Sequence, residues 1–359
     1  MSKRIAIVGG GYIGFRLAKA LENEAEITLI EQRSHFVHTA AMIRAIVDPS
    51  ILELALIPYD KLLQRGTWVQ ARAAAVDGSG VVLEDGHRID ADFVVIATGS
   101  ENATPFKAKG ADIAGLRSDN ARIHGMLAAA TTVAIVGAGA VGTELAGEIA
   151  HAMPGKKVVL IAGQSQLFPD KPEQLGRALA AKLQAAGVEV ALGVRAENLQ
   201  SETEPYAGVL KLSDGREIKA DLVFPVIGSR ASSKLLDGLP GAKHAGAQRI
   251  KVDAWMRPSS LENVFAAGDV AEMGDAMTIV AATRQLPWLK NTLSALLKGK
   301  KLRNLKPYKP WSNAPIVVPL GPKKGHSFLK LFTAGDFLTR ELKGKHLFVP
   351  RYRKELGQG

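Results

Sequence analysis

Residues 6–17 read AIVGGGYIGFRL and residues 134–145 read AIVGAGAVGTEL. Each apolar run leads into the spacing GxGxxG and then into a helix-forming stretch. That context lets backbone approach a pyrophosphate, because glycine puts no Cβ in the way. The following helix start offers free N–H groups and the positive end of its dipole. One copy alone also reads as a tight turn with a helix packed close behind. Two copies constrain the chain much more strongly. Residues 81–100 (VVLEDGHRIDADFVVIATGS) and 209–229 (VLKLSDGREIKADLVFPVIGS) repeat as well, each a strand, an Asp-Gly turn and two further strands. Gly9 to Gly137 is 128 residues, and Gly86 to Gly215, Asp92 to Asp221 and Gly99 to Gly228 are each 129. The register describes a duplicated unit of strand, glycine turn, helix, strand, hairpin and strand. Alternating strands and helices predict α/β architecture with parallel sheets.

The copies differ at the end of their second strands. ITLIEQ reaches Glu31, whose carboxylate can accept hydrogen bonds from ribose hydroxyls. VVLIAGQ places Ala162 there, which neither repels a 2′-phosphate nor attracts one. The expectation is two nucleotide sites, the second permissive about its ribose.

Composition narrows the chemistry. The 359 residues include no cysteine, which removes thiolate metal sites, iron–sulfur clusters and a redox-active Cys pair. The eight histidines show no HExxH spacing, so a metal site is not expected. No apolar run approaches the roughly 18 residues that a bilayer span needs. The first strand begins near Ile5 and Ser2 offers no myristoylation glycine, so the expected location is cytoplasmic, with peripheral membrane contact as its variant. The formal charge of +11 is uneven: residues 287–359 hold 16 Lys and Arg against three Asp and Glu. Basic residues there stand beside Trp288, Tyr308, Trp311, Phe328, Phe332, Phe337, Phe348 and Tyr352. This mixture suits an anionic membrane surface. Nucleic acid ranks below it, because no helix-turn-helix, RRM or zinc pattern accompanies the charge.

Residues 261–271 (LENVFAAGDVA) add a short strand running into Gly268-Asp269 and then an expected helix. With Ala97, Thr98 and Gly99 closing the 93–100 strand, the chain resembles flavoproteins with two dinucleotide-binding domains. Three stretches sharpen this: 36–48 (FVHTAAMIRAIVD), 137–149 (GAGAVGTELAGEI) and 343–349 (KGKHLFV). They resemble the apoptosis-inducing-factor-like group, above all its ferroptosis suppressor branch. The chain differs from that branch at its N-terminus, where animal members carry a myristoylation glycine, and at RQLPWLKNT, where Pro287 is expected to break a helix over the flavin.

The resemblance implies FAD held by Gly9, Gly11, Gly14, Glu31, Arg44, Ala73, Ala97, Thr98, Gly99, Gly268 and Asp269, with Ala73 acting through its backbone at the adenine. It implies NADH or NADPH held by Gly137, Gly139 and Gly142, beside Ala162. Glu144 and Glu148, one turn apart on a helix, are implied catalytic residues; acids near a helix start also simply complement its dipole. Lys343 would neutralise a reduced, anionic flavin, and Phe348 would wall the acceptor pocket. The fold implied is two Rossmann-like three-layer domains plus a C-terminal α+β segment. The expected limits are 1–116 with 251–302 for the FAD domain, 117–250 for the NAD(P)H domain and 303–359 for the tail. The activity implied is hydride transfer from NAD(P)H to flavin N5, with electrons passed to a quinone. The alternatives are reduction of a small electron-carrier protein, and a flavoprotein acting mainly through a basic tail that binds nucleic acid or a partner. Monomer and homodimer both remain open.

Overall fold

The computed structural model describes residues 2–359 and shows two five-stranded sheets built on one plan. In the first, the strand order is Val264–Ala266, Phe93–Ile96, Arg4–Val8, Glu26–Glu31, Thr67–Gln70, all parallel. In the second it is Val188–Leu192, Lys157–Ala162, Thr132–Val136, Glu217–Pro225 and Tyr206–Lys211. Only the last of these runs antiparallel. The innermost strands read IAIV and VAIV and are buried almost completely, as parallel strands covered on both faces must be. Gly86 and Gly215 both have φ of +86°, so the two Asp-Gly hairpins match in conformation as well as in position. The mixed α/β architecture with parallel sheets agrees with the sequence reading.

Each glycine turn passes directly from the central strand into a helix, Gly14–Leu21 in the first unit and Ala140–Ala152 in the second. Behind the first helix lies Ile279–Leu297. Pro287 was expected to break this helix and does not. A proline inside a helix costs about 3 kcal/mol. Here Leu289 and Leu293, fully buried in the core with Leu17 and Leu21, hold the helix through it. The expected helix after Gly268-Asp269 is also absent. A single 3₁₀ turn, Gly268–Val270, runs into a two-residue strand, and the helix begins only at Ile279. The run TWVQARAAAVD is two strands, Thr67–Gln70 and Ala73–Asp77.

The expected domain limits need adjustment. Residue 116 lies inside the helix Ile113–Ala129. Leu236, Leu239 and Ile250 pack with Ala6, Val8 and Val94 of the first sheet, so the segment from about 232 to 250 belongs to the first unit. The limit at 302 falls inside the 3₁₀ turn Leu302–Asn304. We propose about 113–231 for the second unit.

The tail has its own small sheet, Ile316–Leu320, Lys324–Phe328 and Thr333–Ala334. It lies on the second glycine helix at Gly147, where an added Cβ would sit 2.6 Å from Leu320 Cα. Only glycine permits that approach. The chain then turns back. Leu347 and Val349 pack with Met42 and Leu56, and Tyr352 and Leu356 enter the core of the first unit. The tail thus touches both units.

Candidate nucleotide and electron-transfer site

The glycines of each turn divide by what a side chain would meet. Gly9 has φ of +101°, and an added Cβ would lie 2.4 Å from the Ala97 carbonyl oxygen. At Gly14 it would lie 1.7 Å from the Gly9 oxygen. Their counterparts repeat this: Gly137 (φ +111°) meets the Val226 oxygen at 2.1 Å, and Gly142 meets the Gly137 oxygen at 1.9 Å. These four are required by the fold. The middle glycines, Gly11 and Gly139, meet nothing within 4 Å. Their lack of a side chain serves no protein contact, which is the feature expected of backbone kept bare for a ligand.

Gly11 faces a cavity of about 1280 Å³. Ligand pockets usually hold roughly 300–1,000 Å³, so this one has room for an extended molecule. Gly9, Glu31, Ala73, Ala97, Thr98, Gly99, Gly268 and Asp269 all line it. Glu31 is 6% exposed and accepts from the backbone N–H of Gly10 at 2.7 Å and of Arg33 at 3.0 Å. It thereby braces the glycine turn while facing the cavity. Tyr59, buried beneath, donates to the Gly10 carbonyl at 2.8 Å. Gly268 donates its N–H to Gln285 at 2.7 Å, and Asp269 accepts from the Ser100 hydroxyl at 2.6 Å.

The cavity continues to the second unit and the tail. Val141 and Glu144, on the helix after the second glycine turn, line its far end together with Lys343 and Phe348. Lys343 Nζ donates to Glu144 Oε1 at 2.5 Å, and Glu144 is 3% exposed. Burial pushes the Glu144 carboxyl up; the Lys343 ammonium, its hydrogen bond and the Arg44 charge oppose that, and the Glu148 charge adds to it. Leu347 and Phe348 both sit in the left-handed region (φ +52° and +61°), uncommon for such side chains, and this turn points the tail at the cavity.

Two expected residues are elsewhere. Arg44 and Glu148 do not line the cavity. They form a buried bidentate pair with each other, Nη2 to Oε1 at 2.8 Å and Nε to Oε2 at 3.0 Å. The pair pins the helix Thr39–Ala45 of the first unit to the second glycine helix, a positioning role across the junction. Gly137, Gly139, Gly142 and Ala162 also lie off this cavity, Gly137 and Ala162 at strand ends of the second sheet and Gly139 and Gly142 at the start of the helix Ala140–Ala152.

Three residues escaped the sequence reading. Lys107 lines the cavity and donates to Ser100 Oγ at 2.5 Å, beside Asp269. Tyr12, within the first glycine turn, donates to His38 Nδ1 at 2.9 Å, and His38 Nε2 donates to the Leu347 carbonyl at 2.5 Å. Burial lowers His38 to about 4, the Leu347 carbonyl opposes this and the Lys343 charge adds to it, so the ring is neutral. Tyr12 inside a glycine motif and His38 at a helix start were visible in the sequence, but nothing there linked them to residue 347.

A family model described as pyridine nucleotide-disulphide oxidoreductase matches residues 57–285. The chain belongs to the pyridine nucleotide-disulphide oxidoreductase family. Membership carries NAD(P)H-dependent oxidoreduction and binding of FAD and NAD(P)H, without distinguishing the two nucleotides. The site residues fit these groups: bare middle glycines in both turns, and an acid at the ribose position of the first. Among the family's relatives, apoptosis-inducing factor homolog B of Dictyostelium discoideum is 29% identical, over 99% of this chain and 97% of its own. Ferroptosis suppressor protein 1 of Taeniopygia guttata is 26% identical, over 99% and 96%. The sulfide:quinone oxidoreductase of Aquifex aeolicus has the same fold, with a TM-score of 0.76 at 15% identity, covering 99% of this chain and 91% of that one. The resemblance drawn from the motifs therefore holds at full length. The family's name includes a disulphide, yet this member has no cysteine to form one.

Proposed function

We propose that the protein oxidises NAD(P)H through FAD and delivers the electrons to a quinone, and that it works against an anionic membrane surface. The observation that carries this is the far end of the cavity, where the second glycine helix and the tail meet over the Glu144–Lys343 pair. FAD, when bound, accepts a hydride and releases electrons in pairs or singly. The protein supplies binding, orientation and charge. Gly9, Gly11, Gly14, Glu31, Gly268 and Asp269 would hold FAD, and Gly137, Gly139 and Gly142 the pyridine nucleotide. Lys343 would place a half-buried positive charge where negative charge develops on reduction, and Glu144 would keep that charge in place. Phe348, with Trp311, Ile316 and Val317, gives this end an apolar wall suited to a flat, uncharged acceptor. With no cysteine in the chain, the electrons have no internal dithiol to go to. The name of one protein that shares this fold, a sulfide:quinone oxidoreductase, is consistent with the same reading.

The membrane part rests on the tail's surface. Of the aromatics counted there, Tyr308, Phe328 and Tyr352 are buried and belong to the core. The exposed ones are Phe332 (54%) and Phe337 (71%), next to Leu331 at 89%. Lys323, Lys324, Lys330, Arg340 and Lys345 surround them in sequence. Lys330 stands over Trp311, which also lines the cavity, so this apolar tip adjoins the acceptor wall. No helix among the described residues is long and apolar enough to cross a membrane. The tip fits surface contact, at about 1 kcal/mol for each well-placed basic residue.

The test is an anaerobic titration of the FAD-loaded protein with NADH or NADPH, followed by a short-chain quinone. Reduction of the flavin and its reoxidation by the quinone within the turnover time are expected. A flavin that pyridine nucleotide reduces but quinone leaves reduced would sink the acceptor assignment. Sedimentation with anionic vesicles, lost on reversing the charges of Lys323, Lys324, Lys330 and Lys345, tests the surface separately.

A further inference from the structure

We propose that Arg195 forms a 2′-phosphate subsite in the second unit, so that this protein takes NADPH in preference to NADH. The inference rests on the reading of that unit as the pyridine nucleotide site, and it makes the ribose preference specific.

The strand Lys157–Ala162 ends at the place where Glu31 ends its counterpart. In the first unit the carboxylate fills that place and suits a free ribose hydroxyl pair. In the second, Ala162 and Gly163 leave it bare, and the sequence shows no cation beside it. The fold supplies one from 33 residues further along. An added Cβ on Gly163 would lie 3.1 Å from Arg195 Cγ and 3.2 Å from its Nε. The arginine stem therefore crosses the bare backbone at the strand end, in the space a side chain would need.

That placement is anchored. The Val194 N–H bonds the Ala162 carbonyl at 3.0 Å, tying the loop to the strand end. Arg195 donates its backbone N–H to Ser213 Oγ at 3.0 Å and accepts from the Ser213 N–H at 2.9 Å. Asp214 and Glu189, the acids of the adjoining hairpin and strand, are both engaged by Arg216. The Arg195 guanidinium has no ion-pair partner among the described residues and is exposed. A charged, planar fork without an internal partner, at the ribose end of a nucleotide turn, matches a phosphate monoester, which it can bind through two parallel hydrogen bonds. The 2′-hydroxyl of NADH offers no such contact. Nothing acidic stands at Ala162 to oppose the phosphate.

Calorimetry with adenosine 2′,5′-bisphosphate and with AMP tests this without any redox readout. The FAD-loaded wild type should bind the bisphosphate about tenfold or more tightly than AMP, the range of a charge-assisted contact. Arg195→Ala should abolish that difference and leave AMP affinity unchanged. Its kcat/KM with NADPH, measured with a dye acceptor, should fall by the same factor while that with NADH stays put. Equal affinity of the wild type for the two mononucleotides, or a preference that survives in Arg195→Ala, overturns the subsite alone. A wild type that binds neither mononucleotide overturns the nucleotide reading of the second unit as well. A loss of quinone turnover with both of these results intact would concern only the acceptor.

Discussion

The two units share a backbone plan and differ in how they hold the tail. The first holds it with an uncharged group: buried His38 donates to the Leu347 carbonyl. The second holds it with an ion pair, Lys343 to Glu144. Both clips act on one short stretch, residues 343–348, which carries Lys343 and Phe348 to the cavity. The two frames match in plan, and the asymmetry between them lies at their junction with the tail. On the proposed function, the charged clip would put a cation, held by its own counter-ion, where negative charge develops.

The largest effects should fall on the positions where the units are alike. Gly14→Val and Gly142→Val each drive a side chain into the carbonyl oxygen of the first glycine of the same turn. Overpacking of this kind costs about 3 kcal/mol or more, because backbone cannot step aside as a side chain can. Both variants should lose most of their cooperative unfolding transition in urea. One variant as stable as wild type would show that its unit is not closed in the way described, and would end the equivalence of the frames.

The second clip gives the next largest effect. Lys343→Met leaves the Glu144 carboxyl buried without its cation, a loss of roughly 3 kcal/mol if the group stays ionised. Burial already raises this carboxyl, and removing Lys343 raises it further. A group raised in the folded state stabilises below its unfolded pKa, and that stability is lost as pH rises through its folded value. The variant should therefore lose stability relative to wild type as pH rises above about 4.5, seen as a falling urea midpoint. A deficit that does not grow with pH would mean that Glu144 is not the group responding.

The first clip should show the opposite slope. His38 sits near 4 in the fold against 6.5 unfolded, so the unfolded chain takes up the proton first as pH falls. Stability should decline as pH drops from 6.5 towards 4, by about 3 kcal/mol at the acid end. His38→Gln can keep a hydrogen bond to Leu347 but cannot titrate, so it should flatten this part of the profile. Its vesicle binding should match wild type, since the exposed tip is untouched. An acid limb unchanged in His38→Gln would remove the histidine from the account.

Much of the frame was legible because its determinants are local. A glycine at positive φ, an Asp-Gly turn and an apolar strand each show themselves within a few residues, and Gly9, Gly86, Gly137 and Gly215 did so. Contacts between distant segments stayed hidden. Arg44 and Glu148 lie 104 positions apart, His38 and Leu347 309 apart, and no local pattern joins them. For the same reason Arg44 read as a flavin ligand when its partner is a carboxylate on the other unit. Pro287 was misjudged because local geometry was weighed without the burial of Leu289 and Leu293. The tail aromatics were counted as surface, but tertiary packing buries Tyr308, Phe328 and Tyr352 and leaves only Phe332 and Phe337 exposed.

The smallest stability effect makes the finest distinction. Gly11 and Gly139 are the glycines whose added Cβ touches no protein atom. Gly139 has φ of −70°, which alanine adopts freely, and Gly11 is not among the residues at positive φ. Replacing such a glycine removes freedom from the unfolded chain, so Gly11→Ala and Gly139→Ala should be as stable as wild type or more stable by about 0.4–1 kcal/mol. Ligand binding should separate them. The methyl of Gly11→Ala projects into the cavity beside Glu31, where the pyrophosphate of FAD must approach the backbone, so this variant should purify largely without flavin. Gly139→Ala should keep its flavin and its yellow colour, while the Kd for NADPH rises about tenfold or more, equivalent to roughly 1.4 kcal/mol of lost contact. Absorbance of the purified proteins and a nucleotide titration read both outcomes. If Gly139→Ala loses flavin and Gly11→Ala keeps it, the sites are assigned to the wrong units. If both variants bind both ligands normally, the bare middle glycines do not face pyrophosphates, and the reason offered here for their presence is gone.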